Sequence, residues 1–200
     1  MNAGFWNDRY SQTSFLYGEE PNEFLREAAV VLKSGSHVLS LGEGEGRNAV
    51  WLARNGYRVT AVDQSVMGRD KALQLASKHQ IRLDYQIQSV QSGPWMADSW
   101  DGIVNIFCHL PSADRHLVYA GIHQSLKPGG YFISEQFSPE QLYYQSGGPK
   151  DADMLVTPEE IRREFGTGYE IIRLEGCVIQ LDEGHHSGPG SVTRVVVRKQ

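Results

Sequence analysis

Three glycines spaced two apart, Gly42, Gly44 and Gly46, follow the apolar run Val38-Leu39-Ser40-Leu41 and lead directly into Arg47-Asn48-Ala49-Val50-Trp51-Leu52-Ala53-Arg54. The run before the glycines reads as a buried strand and the stretch after them as a helix. Glycines at such a corner let the backbone turn sharply and let a ligand approach the main chain closely. A second run, Tyr57 to Val62, delivers Asp63 to the same edge. An acid there can take two hydroxyls of a ribose. Strand, glycine corner, helix, strand and acid in this order predict a site for a nucleoside-containing cofactor.

The spacing narrows the choice of nucleoside. The dinucleotide pattern G-x-G-x-x-G needs a third glycine where this chain has Arg47; here that glycine arrives one residue early, at Gly46. A phosphate loop of the G-x-x-x-x-G-K-[ST] type fails as well, because no Lys-Ser or Lys-Thr follows. The corner also carries Glu43 and Glu45. Two carboxylates beside a pyrophosphate cost about 1 kcal/mol per contact even in water, and more when shielded. Beside a cationic sulfonium they are tolerable or helpful. S-adenosylmethionine fits: it has no phosphate, and its carboxylate suits free backbone N–H groups at a helix N-terminus.

Bulk properties bound the alternatives. Two hundred residues suit one domain with a substantial core. A formal net charge of −5 argues against a general nucleic-acid binder. Cys108 and Cys177 lie far apart without a C-x-x-C pattern, which fits a reducing compartment. The segment Met1-Asn2-Ala3-Gly4-Phe5-Trp6 has no basic stretch followed by an apolar run, and no apolar stretch approaches the ~20 residues that span a bilayer. The expectation is a cytoplasmic protein, monomer or homodimer, with no membrane or nucleic-acid partner.

Strand and helix signals alternate, which predicts a mostly parallel sheet with helices on both faces. Pro21 is placed to open a helix carrying Phe24, Leu25, Ala28, Ala29, Val31 and Leu32. Further helices are expected from Val66 to about Gln80, from Ser112 to Leu126 with Lys127-Pro128-Gly129-Gly130 as its stop, and from Thr157-Pro158-Glu159-Glu160 to Phe165. Strands are expected at 83–88, 102–107, 131–134, 169–181 and 191–198. Residues 137–156 read as a long polar loop, and 182–190 as the connection between the last two strands.

This order resembles the class I S-adenosylmethionine-dependent methyltransferases over nearly the whole chain. The likeness is carried by the glycine corner with Asp63, by Trp100-Asp101-Gly102-Ile103-Val104, and by Leu126-Lys127-Pro128-Gly129-Gly130-Tyr131. More narrowly, Phe5-Trp6-Asn7-Asp8-Arg9-Tyr10, Gly46-Arg47-Asn48-Ala49 and Asp63-Gln64-Ser65 resemble the small tellurite-resistance-type methyltransferases, within which the substrate varies. The resemblance implies a Rossmann-like, doubly wound seven-stranded sheet whose last strand is antiparallel beside the fifth. It divides one domain, 1–200, into a lid arm and helix (1–33), a cofactor-binding half (34–136) and an acceptor-side half (137–200). It implies cofactor contacts from Trp6, Arg9, Tyr10 and Tyr17 on the arm, and from Leu41, Gly42, Glu43, Gly44, Gly46, Arg47 and Asn48 at the corner. Asp63, Gln64 and Ser65 follow the second strand, Ser89 and Val90 the third, and Ile106 and Phe107 close the fourth. Two positions depart from the family pattern. Ser40 stands where an acid is usual, so Glu43 or Glu45 substitutes or water mediates. Gln88-Ser89-Val90-Gln91 lacks the acid often found near the adenine, leaving Ser89 or a backbone group.

Methyl transfer is an in-line displacement in which the protein positions the acceptor and excludes water. The acceptor is expected to be a small molecule: a thiol, a metalloid oxyanion or a metabolite. His109, just past the fourth strand, is the candidate general base, or else a histidine that hydrogen-bonds its loop. Glu135 and Gln136 close the fifth strand and either face the acceptor or are solvated. Cys108 reads as a small buried hydrophobe. Tyr143 and Tyr144 either line the acceptor pocket or sit on a mobile loop. His185 and His186 read as a hairpin tip, with no metal expected. Two other readings remain: a non-catalytic module that binds the same cofactor, and a nicotinamide-dependent oxidoreductase.

Overall fold

Alternation of apolar side chains along each strand puts two hydrophobic layers on opposite faces of one sheet. The computed structural model describes residues 2–200, and Met1 lies outside them. Its strands are β1 (His37–Leu41), β2 (Arg58–Asp63), β3 (Asp84–Ile87), β4 (Trp100–Ile106), β5 (Leu126–Phe137), β6 (Tyr169–Glu183) and β7 (His186–Lys199). They form a seven-stranded sheet in the order β3-β2-β1-β4-β5-β7-β6. Strands β1 to β5 pair in parallel, and β7 lies antiparallel between β5 and β6. On one face Leu39, Ile103, Phe132 and Val197 pack with Tyr119, Ile122 and Phe165. On the other, Val38, Val104, Ile133 and Val196 pack with Phe24, Leu25 and Leu52.

The helices are α1 (Ala3–Tyr10), α2 (Glu23–Ala28), α3 (Arg47–Arg54), α4 (Val66–Lys78), α5 (Ser112–Ser125) and α6 (Pro158–Phe165). Strand β1 has β2 on one side and β4 on the other, so the chain reverses direction across the sheet there. Ligands of open α/β sheets bind in the crevice at the carboxyl ends of the strands flanking such a switch point.

The differences from the sequence reading have local causes. Pro21 does not open α2; Asn22 caps it, its side chain accepting from the Leu25 N–H at 2.9 Å. Residues 3–10 form a helix that composition alone did not show, capped by Asn2. Strand β5 starts at Leu126, so Lys127-Pro128-Gly129-Gly130 belongs to the strand, and a register shift opposite it lies between Trp100 and Gly102. The final hairpin is longer than expected: Glu183 pairs with His186, leaving a two-residue tip. Pro189 is accommodated because β5 pairs with β7 only from Val192 onward, so this stretch has one neighbour and no donor is missed. The 137–156 stretch is tied down rather than mobile, with Leu155 and Val156 buried and the Val156 N–H on the Phe137 carbonyl at 3.0 Å.

Gly46 shows how tightly the corner is built. It takes φ +92°, and a Cβ there would lie 2.6 Å from the Ala72 Cβ and 2.7 Å from its Cα. Gly46→Ala is expected to lower unfolding stability by about 2–4 kcal/mol, from left-handed strain plus overpacking of α3 on α4. Urea denaturation measures this; an unchanged midpoint would show that α4 can move away freely.

Candidate active site

A cavity of about 450 Å³ opens at the carboxyl ends of β1, β2 and β4. That size lies within the range of small-molecule sites. Its wall combines the glycine corner, Asp63 and Gln64 after β2, Ser89 to Gln91 after β3, and Ile106 to Pro111 after β4. Helix α1, Tyr17, the Gly147–Pro149 loop and the hairpin tip cover it.

At the corner, backbone donors are already engaged. Gly44 donates its N–H to Asp63 at 3.1 Å, and Ser65 donates to the other Asp63 oxygen at 2.8 Å. Both oxygens are thereby oriented while the carboxylate still faces the cavity. Burial raises its pKa, and these N–H groups moderate the rise. Glu43 accepts from the N–H groups of Asn48 at 3.1 Å and Ala49 at 2.8 Å, so it caps α3 from below. The Gly44, Asn48 and Ala49 amides are therefore occupied, and Arg9 and Arg47 are cations on the cavity wall that can meet the cofactor carboxylate. The Ser40 hydroxyl also donates to Glu43, so the acid missing at position 40 is present in space at position 43. Burial pushes the Glu43 carboxyl up to about 7, opposed chiefly by the Ser40 hydroxyl. Glu45 instead holds structure together, accepting from the Leu16 N–H at 2.7 Å and from Lys71 at 2.5 Å.

Of the residues named from sequence, the cavity wall includes Trp6, Arg9, Tyr10, Tyr17, Gly42, Glu43, Arg47, Asn48, Asp63, Gln64, Ser89, Val90, Ile106, Phe107 and His109. Five stand elsewhere. Leu41 is in the core beneath the corner. Gly44 acts through its N–H to Asp63 and its carbonyl, which accepts from Tyr85 at 2.6 Å. Gly46 faces α4. Ser65 caps α4, accepting from the Gly68 N–H at 3.0 Å. Glu135 corrects the expectation most clearly: it is neither solvated nor in this cavity. It is fully buried, accepts from Asn22 at 2.7 Å and Arg194 at 2.5 Å, and faces a separate hollow. Gln136 is buried as well, so neither strand-end reading holds. Tyr143 is 86 % exposed and Tyr144 lies off the wall, while their neighbours Gly147, Gly148 and Pro149 are on it.

Beyond β4 the wall becomes aromatic. Phe107 holds φ +53°, a left-handed conformation for a bulky residue, and its ring lies 4.7 Å from Phe137. The His109 ring sits 5.3 Å from Phe137, and neither of its nitrogens has a partner among the described residues. Burial pulls its pKa down to about 3, with His186 and Arg115 adding to the effect. A buried unpaired polar group costs about 1–3 kcal/mol. The sequence suggested a hairpin tip for His186 and gave it no place in the cofactor or acceptor site. Its ring packs against Tyr17 at 4.6 Å and Phe107 at 5.1 Å, with Nδ1 unpartnered among the described residues. Burial, then Arg47, lowers its pKa to about 4. Phe5, Gln91, Leu110, Pro111 and Asp114 also line the cavity without having been named as candidates. The one available signal was helical spacing between Phe5 and Arg9. Cys108 packs on Gly42, and burial pushes its thiol up to about 12. Among the described residues, no cluster of three His, Cys, Asp or Glu is arranged to hold a metal, and no helix is long and apolar enough to cross a membrane.

A seven-stranded sheet of this order, parallel through β5 with β7 antiparallel between β5 and β6, is that of the class I S-adenosylmethionine-dependent methyltransferase fold. The sequence profile of the methyltransferase-domain family matches residues 38–130. That segment, from β1 to the beginning of β5, is what the chain has in common with the family, and the sheet order is that of the same fold. It is 34 % identical over 116 residues to the ubiquinone/menaquinone biosynthesis C-methyltransferase UbiE of Rubrivivax gelatinosus, covering 58 % of this chain and 44 % of that protein. The chain spans about half the length of the curated relatives it matches. Among solved structures, TehB from Haemophilus influenzae aligns with TM-score 0.74 at 18 % identity, covering 99 % of this chain and 67 % of that one. The N-methyltransferase NodS from Bradyrhizobium japonicum, solved with S-adenosyl-L-homocysteine, aligns with TM-score 0.74 at 13 % identity, covering 98 % and 97 %.

The sign of the Glu43 shift gives a test. An acid held above its ordinary value stabilises the fold at low pH and loses that contribution as pH rises through the folded pKa. The window runs from about 4.5 to about 7. Glu43→Gln keeps the hydrogen-bonding shape without the charge. Its melting temperature relative to the parent is expected to climb by several degrees between pH 5 and pH 8. A difference independent of pH would contradict the buried-acid account.

Proposed function

We propose that this chain transfers the methyl group of S-adenosylmethionine to a small-molecule acceptor seated beside His109. The observation that carries this reading is the use of the corner amides. With Gly44, Asn48 and Ala49 donating to Asp63 and Glu43, three backbone donors of the corner are already engaged, and a pyrophosphate would meet two acidic side chains there. A nucleoside with a positive sulfur and no phosphate suits the same surroundings. This disfavours the nicotinamide alternative on structural as well as sequence grounds.

When bound, S-adenosylmethionine supplies an electrophilic methyl group and a thioether leaving group. The chain's task is placement. Asp63 is aimed to accept from the ribose hydroxyls. Gln64, Ser89 and Val90 frame the adenine. Arg9 and Arg47 face the amino-acid end, with Glu43 and its Ser40 partner available to the ammonium group. Trp6 and Tyr10, whose rings stack 5.4 Å apart, close the solvent side. Relatives named for O- and C-methylation and a neighbour named for N-methylation leave the acceptor atom open at this level.

His109 can take the proton of the acceptor although its pKa is low. The acceptor becomes strongly acidic as its new bond to carbon forms, so a weak base suffices late in the reaction.

Asp63→Ala is expected to weaken S-adenosylmethionine binding by about 1.5–3 kcal/mol, roughly 10- to 150-fold in Kd by calorimetry. Unchanged affinity would place the ribose elsewhere and remove the support for this reading.

A further inference from the structure

We propose that the methyl acceptor is a flat, uncharged oxygen compound of the phenol or enol class, held in a ring-lined compartment by His109 and His186. The proposal rests on the methyltransferase reading and specifies its second substrate. Two separate parts of the chain build the compartment. The loop after β4 brings Phe107 and His109; the hairpin tip brings His186, which packs against Tyr17. Phe137 backs the group, 5.2 Å from His186 and 5.3 Å from His109. Rings at these separations favour a planar guest in offset or edge-on contact.

The polar atoms choose the chemistry. Both nitrogens of His109 and Nδ1 of His186 lack partners among the described residues. A neutral imidazole presents one N–H and one bare nitrogen, and a hydroxyl can meet either because it donates and accepts. A thiol is weak in both roles. An ammonium group only donates and would need a carboxylate, which this ring cluster does not contain. An oxyanion would need a cation, whereas burial keeps both imidazoles uncharged near neutral pH. The two cations on the cavity wall, Arg9 and Arg47, are assigned to the amino-acid end of the cofactor, and Arg47 is also paired with Glu183 at 2.8 Å.

The reaction balances without another reagent. The acceptor oxygen forms a bond to the methyl carbon as the carbon–sulfur bond breaks. The sulfur keeps that electron pair and becomes a neutral thioether. The hydroxyl proton passes to the bare nitrogen of His109 and on to water.

The test uses the full chain loaded with S-adenosylhomocysteine and titrated by calorimetry with catechol, thiophenol and sodium tellurite. Catechol is expected to bind about tenfold more tightly than either of the others. In His109→Phe and in His186→Phe that advantage should shrink to about threefold or less, while S-adenosylhomocysteine still binds. His109→Phe should also melt no lower than the parent, because it removes two orphaned nitrogens and keeps the ring. Failure of catechol to bind, thiophenol or tellurite binding as tightly, or an advantage that survives both substitutions would overturn the proposal. Absence of heat with S-adenosylhomocysteine itself would instead fail the methyltransferase reading, before any acceptor is added.

Discussion

Where the amides of the first βα corner point determines the rest of the site. In many α/β sheets these N–H groups are left open and bind phosphate. Here Glu43 reaches back under the corner and takes the Asn48 and Ala49 amides for itself, while Asp63 takes that of Gly44. The carboxylates are thereby fixed, and the electrostatic character of the cavity is inverted relative to a dinucleotide site. A buried acid normally costs stability. This one is moderated by four hydrogen-bond donors or charges, namely Ser40, the Ala49 and Asn48 amides and Arg47.

The cover over the cavity follows from the same network. Glu45, the second corner acid, holds the Leu16 amide and Lys71, which sets the path of the N-terminal arm. The Leu16 carbonyl then accepts from the His185 N–H at 3.0 Å, joining arm to hairpin. Arg47 links the two again through the Tyr17 carbonyl and Glu183. Residues from the first helical turn after the corner, the arm and the last hairpin therefore close over one space. The left-handed Phe107 turns the end of β4 toward it. Strain kept at such a position fits a site whose shape matters to function.

Much of this was legible in the residues. The glycine corner, Asp63 and the alternation of strand and helix gave the sheet and one wall of the cavity, because those signals are local and periodic. What escaped was non-local. Glu135 looks like an exposed strand end until Asn22 and Arg194, distant in sequence, are seen to bury it. His186 lay in a run of glycine, proline and polar residues that reads as loop, yet the strands pair up to Glu183 and His186 and carry its ring into the site. Helix α1 was hidden because its aromatic and basic residues spread around the helix without a clear apolar stripe, and it is anchored by Asn7, which accepts from the Ser65 hydroxyl at 2.7 Å. Gly44 and Gly46 were placed in the site by pattern; the first organises Asp63 and the second makes room for α4.

The most direct measurement is a side-by-side calorimetric titration of the protein with S-adenosylmethionine and with NAD under identical conditions. A corner at which Glu43 and Asp63 engage three of the amides predicts saturable heat with the sulfonium nucleoside and none with the dinucleotide. Binding of NAD without binding of S-adenosylmethionine would contradict the account at its base.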